Sequence, residues 1–297
     1  MELGKLSVWC GTDGMSAPNA VRFAKKVEDW GYSALWIPDA LGREPFTHAS
    51  WLLANTKTLI LATGITSIYG RDPRACKSGQ NTLNEQSGGR FLLGLGVSHK
   101  PLVEGIRGHD YGPPVATMRA YLEAMTKVDY ASPLPAEEPP TVIAALGPKM
   151  LALSASHAQG AHPYLVPPEH TAEAREIVGP DAWICTEQKV LLETDAGKAR
   201  ALARKSLTIY MGLPNYRNNI MRFGFSEDDF ENGGSDRLVD ALVAWGDEKA
   251  IQARIQDHLD AGATQVCIQA LNPAGTGEMM HDNMAPDERI LEALAPS

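Results

Sequence analysis

Two apolar runs, LILATGI from Leu59 to Ile65 and FLLGLGV from Phe91 to Val97, frame one helix-forming stretch from Pro73 to Gln86, and no other feature narrows the fold as far. Both runs are too short to span a membrane and too uninterrupted for a surface helix. They read as buried parallel strands. Each ends in small and polar residues, and in a parallel barrel the active site is built at such strand ends. Chemistry is expected just after Ile65 and just after Gly96.

The same alternation runs along the chain. LSVWCG is a strand, followed by a helix from Ser16 to Trp30 with Ser16 as its cap and Gly31 as its stop. ALWIPD, TVIAAL, GAHPYLV, WICTEQKVLLE and QVCIQAL bring the strands to eight, with helices between them. Eight such units predict an α/β fold, a single (β/α)8 TIM barrel over residues 1–297, in keeping with the roughly 250 residues plus insertions such barrels take. The segment 211–236, MGLPNYRNNIMRFGFSEDDFENGGSD, breaks the rhythm after strand seven and is read as an insertion.

A net charge of -9 argues against general nucleic-acid binding, which rests on Lys and Arg neutralising phosphates. No run approaches the roughly 20 apolar residues of a membrane helix, and no secretory signal opens the chain, so a cytoplasmic protein is expected. The four cysteines, Cys10, Cys76, Cys185 and Cys267, lack Cys-x-x-Cys spacing and read as buried free thiols. Neither they nor the histidines suggest a metal site.

Polar residues at strand ends supply the candidates. Asp39 closes ALWIP, where a buried carboxylate needs a cleft or a hydrogen-bonded loop. Gly94 and Gly96 allow close backbone approach. His99 follows, with an imidazole whose usual pKa near 6.5 suits proton exchange at neutral pH; a lone loop histidine is also an ordinary surface residue. Gly147, Pro148 and Lys149 open a helix whose free amides could hold a phosphate or ring carbonyl. His162 and Tyr164 follow strand six as substrate-pocket candidates, while His170 belongs to a helix start. Asn215 and Tyr216, in the insertion, either line the pocket as a lid or make a subunit contact. Glu187 and Lys189 share one strand face, and an ion pair at the quieter end of the barrel accounts for them as well as a functional role does.

GYSALWIPD, LATGI, NEQSGGRFLLGLGVS and AIQARIQDHLDAGATQVCIQAL together resemble the luciferase-like family of flavin and deazaflavin oxidoreductases. GPKMLALSA, HPYLVPPEHT, LPNYRNN and SDRLVDALVAWGD resemble its coenzyme F420-dependent subgroup. The resemblance implies a deazaflavin ring across the barrel mouth, a hydride exchanged with a small organic substrate, and a homodimer. FMN with oxygen, as in the family's monooxygenases, is the alternative, and a barrel that binds coenzyme without turnover is a third reading.

The resemblance also assigns positions. Gly64-Ile65 falls at the family's non-proline cis peptide against the ring, with Thr66 beside it. Asp39 lies by the ring, and Gly96, Val97 and Ser98 line the coenzyme. His99 stands where a relative acting on a sugar phosphate carries a glutamic acid, so His99 and Asp39 are the expected proton-handling residues. Ala40 and Leu102 depart from the family's His and Asn.

Overall fold

The computed structural model describes residues 1–274 and 285–296. In chain order its elements are β1 (Leu6–Trp9), α1 (Ala17–Asp29), β2 (Ala34–Ile37), α2 (Pro45–Asn55), β3 (Ile60–Thr63), β4 (Thr66–Ser67), α3 (Pro73–Ser87), β5 (Phe91–Gly96), α4 (Lys100–Gly105) and α5 (Pro114–Met125). There follow β6 (Thr141–Ile143), α6 (Pro148–His157), β7 (Gly160–Ala161), α7 (Pro168–Val178), β8 (Trp183–Leu192), α8 (Ala196–Met211) and α9 (Pro214–Met221). A 3-10 segment (Glu227–Gly233), α10 (Asp236–Leu242), β9 (Val243–Gly246), α11 (Glu248–Asp260), β10 (Gln265–Ala270) and α12 (Glu288–Ala293) complete it.

Parallel pairing runs β1-β2-β3-β5-β6-β7-β8, and β10 joins β8 to β1, which closes the barrel at eight positions. The two-residue β4 continues the β3 position beyond Ile65 by pairing Thr66 with Leu95. Helix starts follow local chemistry: Ser16 caps α1 by accepting the Asn19 amide, and Asp72 caps α3 through the Ala75 amide.

Alternation along the strands divides the apolar side chains into two shells. Trp9, Ala34, Trp36, Ala62, Leu92, Val142, Cys185 and Cys267 fill the barrel. Val8, Leu35, Leu61, Leu93, Ile184 and Ile268 face the helices. All four cysteines are buried, as their spacing implied.

Three expectations need correction. Only Gly160 and Ala161 of GAHPYLV form a strand, because Pro163 has no amide to extend the ladder and Leu165 turns to a left-handed φ of 57°. VAWG, expected within the helical stretch before the last strand, is β9 and pairs with Lys189 to Leu192. Lys189 also pairs with Gln269, one residue short of the end of β10, so the Glu187-Lys189 pair lies toward the carboxyl-end mouth and not at the quieter end.

Gly94 is fixed by packing. Thr63 donates through its Oγ1 to the Gly94 carbonyl and accepts the Gly94 amide, both at 2.8 Å, and a Cβ at Gly94 would stand 1.9 Å from the Thr63 carbonyl oxygen. Backbone cannot yield as a flexible side chain would. Gly94→Ala should therefore cost about 3 kcal/mol or more in urea unfolding. Gly105→Ala, where nothing lies within 4 Å, should leave the midpoint nearly unmoved; equal midpoints for the two variants would refute this account.

Candidate active site

The Gly64-Ile65 peptide is cis. Gly64 donates its amide to the Ile37 carbonyl at 2.8 Å, its carbonyl accepts from Trp9 Nε1 at 2.9 Å, and the Asp39 amide donates to the Ile65 carbonyl at 3.1 Å. The bulge is thus tied to β1 and to the end of β2. Glycine is required at position 64, since a Cβ would meet Trp9 Nε1 at 2.6 Å. Ile65 lies over Gly96, where a Cβ would stand 2.3 Å from Ile65 Cδ1. The missing side chain at Gly96 accommodates Ile65.

Asp39 is held on three sides. Its carboxylate accepts from Thr66 Oγ1 at 2.8 Å, the Ser67 amide at 3.1 Å and the Arg107 guanidinium at 3.3 Å. Arg71 in turn donates to Thr66 Oγ1 and pairs with Glu44. A carboxylate so supported is set as an acceptor and an anchor for the surrounding loops.

Beyond β5, Ser98 adopts a left-handed φ of 57°, and its carbonyl accepts from the Tyr111 hydroxyl. That turn swings His99 to the start of α4, where its carbonyl, not its side chain, caps the helix. The His99 ring is partly buried and packs 5.9 Å from Tyr216. Burial pulls its pKa below the usual 6.5, against a hydrogen bond with Asn215 that favours the charged form.

Tyr164 carries the densest contacts. Its hydroxyl lies 2.7 Å from Lys189 Nζ, 2.7 Å from the Tyr210 hydroxyl and 2.9 Å from Gln269 Oε1. Its ring touches those of Trp9, Tyr210 and Tyr216. Lys189 and Glu187 pair at 3.1 Å with both side chains essentially inaccessible, and Glu187 also accepts the Leu165 amide. Burial drives the Lys189 pKa down while Glu187 opposes the shift.

His162 sits apart from the other pocket candidates. It stacks on Trp36 at 4.4 Å inside the barrel, and Nδ1 donates to the Cys185 carbonyl, which leaves Nε2 as a buried acceptor without a partner. Gly147 caps α6 without a side-chain bond, Pro148 and Lys149 are exposed, and Val97 is partly buried on the mouth side of β5. His170 lies in the first turn of α7 and donates to the Leu146 carbonyl.

Asp39, Gly64, Ile65, Thr66 and Gly96 thus converge on one side of the mouth, and His99, Tyr164, Asn215 and Tyr216 on the other. Sequence reasoning missed Trp9, Arg107 and Tyr210. The strand register of Trp9 was the one signal that could have found it.

The luciferase-like monooxygenase family model matches residues 1–265. The chain belongs to this family. A Mycobacterium tuberculosis protein provisionally named a coenzyme F420-dependent oxidoreductase is 26% identical, over 95% of this chain and 99% of that relative. The 5,10-methylenetetrahydromethanopterin reductase of Methanolobus tindarius is 28% identical over 82% of this chain and 87% of the relative. In fold, this luciferase-like barrel is similar to the coenzyme F420-dependent tetrahydromethanopterin reductase of Methanopyrus kandleri, with a TM-score of 0.72, 20% identity and coverage of 91% and 93% of the two chains.

Proposed function

We propose that the protein is a coenzyme F420-dependent oxidoreductase that exchanges a hydride between the deazaflavin and a small organic substrate. The observation that carries this reading is the apolar Ile65 ledge over Gly96 at the barrel mouth, braced by Trp9 and flanked by the Asp39-Thr66-Ser67 hydrogen-bond set. Relatives named for F420 use point to the same coenzyme.

The residues present fit such a group. Ile65 offers an apolar surface, Thr66 and Ser67 place polar groups beside it, and the uncapped start of α6 offers amides to an anionic or carbonyl group. When bound, a deazaflavin supplies a carbon that gives or accepts a hydride.

The chain's own residues would orient and protonate. Asp39 keeps the bulge and the Arg107 loop together. His99 would move the proton that accompanies the hydride, and the Tyr164, Tyr210 and Tyr216 rings would shape the substrate side.

Equilibrium titration with oxidised and reduced F420 should give binding at tens of micromolar or tighter, about -6 kcal/mol or better. Preferential binding of FMN with oxygen uptake would overturn the reading in favour of a monooxygenase. With a substrate found by screening carbonyl compounds against reduced F420, His99→Gln should lower kcat about 100-fold and leave coenzyme affinity unchanged. Because burial lowers the His99 pKa, its protonated fraction grows as pH falls below 6.5, so wild-type reduction should speed up on mild acidification. That limb should vanish in the variant.

A further inference from the structure

The substrate side of the mouth is walled by aromatic rings that touch one another in series. Trp9 and Tyr164 have centroids 5.4 Å apart, Tyr164 and Tyr210 also 5.4 Å, Tyr210 and Tyr216 5.2 Å, and Tyr216 and His99 5.9 Å. Burial pushes the three phenols up and pulls the His99 imidazole down, so the wall is uncharged near neutral pH.

The cations beside this wall are already matched. Lys189 pairs with Glu187 at 3.1 Å and directs its three donors to Glu187, Tyr164 and Gln269. On α4, Lys100 pairs with Glu104 at 3.8 Å; on α9, Arg217 pairs with Glu227, and at its end Arg222 pairs with Glu173. Every Lys and Arg of β8, α4 and α9 therefore has a carboxylate, and the sequence after β10, residues 271–287, contains neither residue type. The exposed cations Arg74 and Lys149 stand at the starts of α3 and α6, not on these elements.

An anion laid against this wall would give up water with no free cation to replace it, which is costly for a buried charge. A cation fares no better on the ring faces of Tyr164 and Tyr210, because Lys189 Nζ already lies 4.2 and 5.0 Å from their centroids. What the wall accepts is a neutral body that packs on aromatic rings.

We infer that the substrate of this mouth is an uncharged compound with an aromatic or otherwise unsaturated body, and that phosphorylated and carboxylate substrates are rejected. The inference rests on the reading of this face as the substrate side of an F420-dependent oxidoreductase, and narrows its small organic substrate to one charge class.

Three ketones that share one ring and one carbonyl and differ in charge test it: acetophenone, 4-acetylbenzoate and (4-acetylphenyl)trimethylammonium. Saturation-transfer NMR on the full chain near neutral pH, with and without F420, should show acetophenone bound at least about 10-fold more tightly than either ion. Tyr216→Ala removes the ring between His99 and Tyr210 and should weaken acetophenone at least about threefold, which locates the probe at the wall. Asn215→Lys adds an unmatched cation on the exposed first turn of α9 and should narrow the gap to 4-acetylbenzoate about threefold. A smaller margin in the wild type, tighter binding of either ion, or binding of none of the three overturns the inference, and these comparisons need no variant to fold. Unchanged acetophenone binding in folded Tyr216→Ala, or an unmoved gap in folded Asn215→Lys, overturns it as well.

Coenzyme F420 titration separates the two claims. If acetophenone is preferred as stated while F420 does not bind, the charge selection stands and the proposed function fails. If F420 binds and the ions bind as well as the neutral ketone, the reverse holds.

Discussion

Lys189→Met should destabilise the protein by about 3–5 kcal/mol in urea unfolding, more than any single truncation of the mouth tyrosines. The Lys189 ammonium gives its three donors to Glu187 Oε1, Tyr164 Oη and Gln269 Oε1 at 3.1, 2.7 and 2.8 Å, which uses its full capacity. Removing it strands the Glu187 carboxylate in the barrel with the Leu165 amide as its remaining hydrogen-bond donor. Replacing both members should be milder. The double variant Glu187→Leu with Lys189→Met removes the charge along with its partner, and should recover at least half of the loss. A single-variant cost below about 1 kcal/mol would show that the pair is solvated in a way the burial of both side chains excludes. Near-ultraviolet dichroism should change too, because Tyr164 loses its hydroxyl anchor and the ammonium that lies 4.2 Å from its ring centroid. Stability and the shape of the substrate side are therefore coupled through one buried cation.

How much of this was legible in the sequence depended on whether the deciding partner was local. LILATGI and FLLGLGV declare themselves as strands because a parallel strand buried on both faces is mostly a continuous apolar run. Ser16 and Asp72 are visible as caps because the amides they accept from lie three residues away. VAWG was hidden: it follows Leu238, Val239 and Leu242 without a turn residue, so a helical stripe runs unbroken into a strand. Glu187 and Lys189 were rightly placed on one face, but their height in the barrel depends on the register with β10, some 80 residues on. Arg107 and Trp9 escaped notice for the same reason. Their partners, Asp39 and the Gly64 carbonyl, are 68 and 55 residues distant, and nothing in a lone Arg or Trp names a partner across the mouth. The candidate residues themselves were mostly found, because strand ends are local; what they hold on to was not.

Acidification should unfold the protein cooperatively near pH 5, well above the range where carboxylates alone would do so. Four histidines are buried and held well below their usual pKa of 6.5: His48, His162 and His170 at about 4, and His258 at about 3, each chiefly because burial penalises the charged ring. Their contacts suit neutral rings. His162 and His170 each donate one proton to a carbonyl, and the other nitrogen faces no donor. In the unfolded chain all four take up protons as pH drops through 6.5, whereas the folded chain does not until about 4. Stability is thus intact above pH 6.5 and is lost progressively as pH falls from 6.5 to about 4, and to about 3 for His258, at about 3 kcal/mol for each of His162, His170 and His258 and less for the partly screened His48. Together these contributions, on the order of 10 kcal/mol, are comparable to the roughly 5–15 kcal/mol that a domain has in total. Urea midpoints measured from pH 7.5 to 4.5 should fall steeply, with proton uptake on unfolding approaching four near pH 5. His162→Phe, which keeps a ring against Trp36, should reduce that uptake by about one proton. A midpoint at pH 4.5 equal to that at pH 7.5 would mean that these rings are protonated or hydrated in the fold. The window also bounds the enzymology, because His99 titrates from the same starting value: the gain in rate on mild acidification should be cut off by unfolding, so a bell-shaped profile in this protein would report chemistry on its alkaline side and loss of the barrel on its acid side.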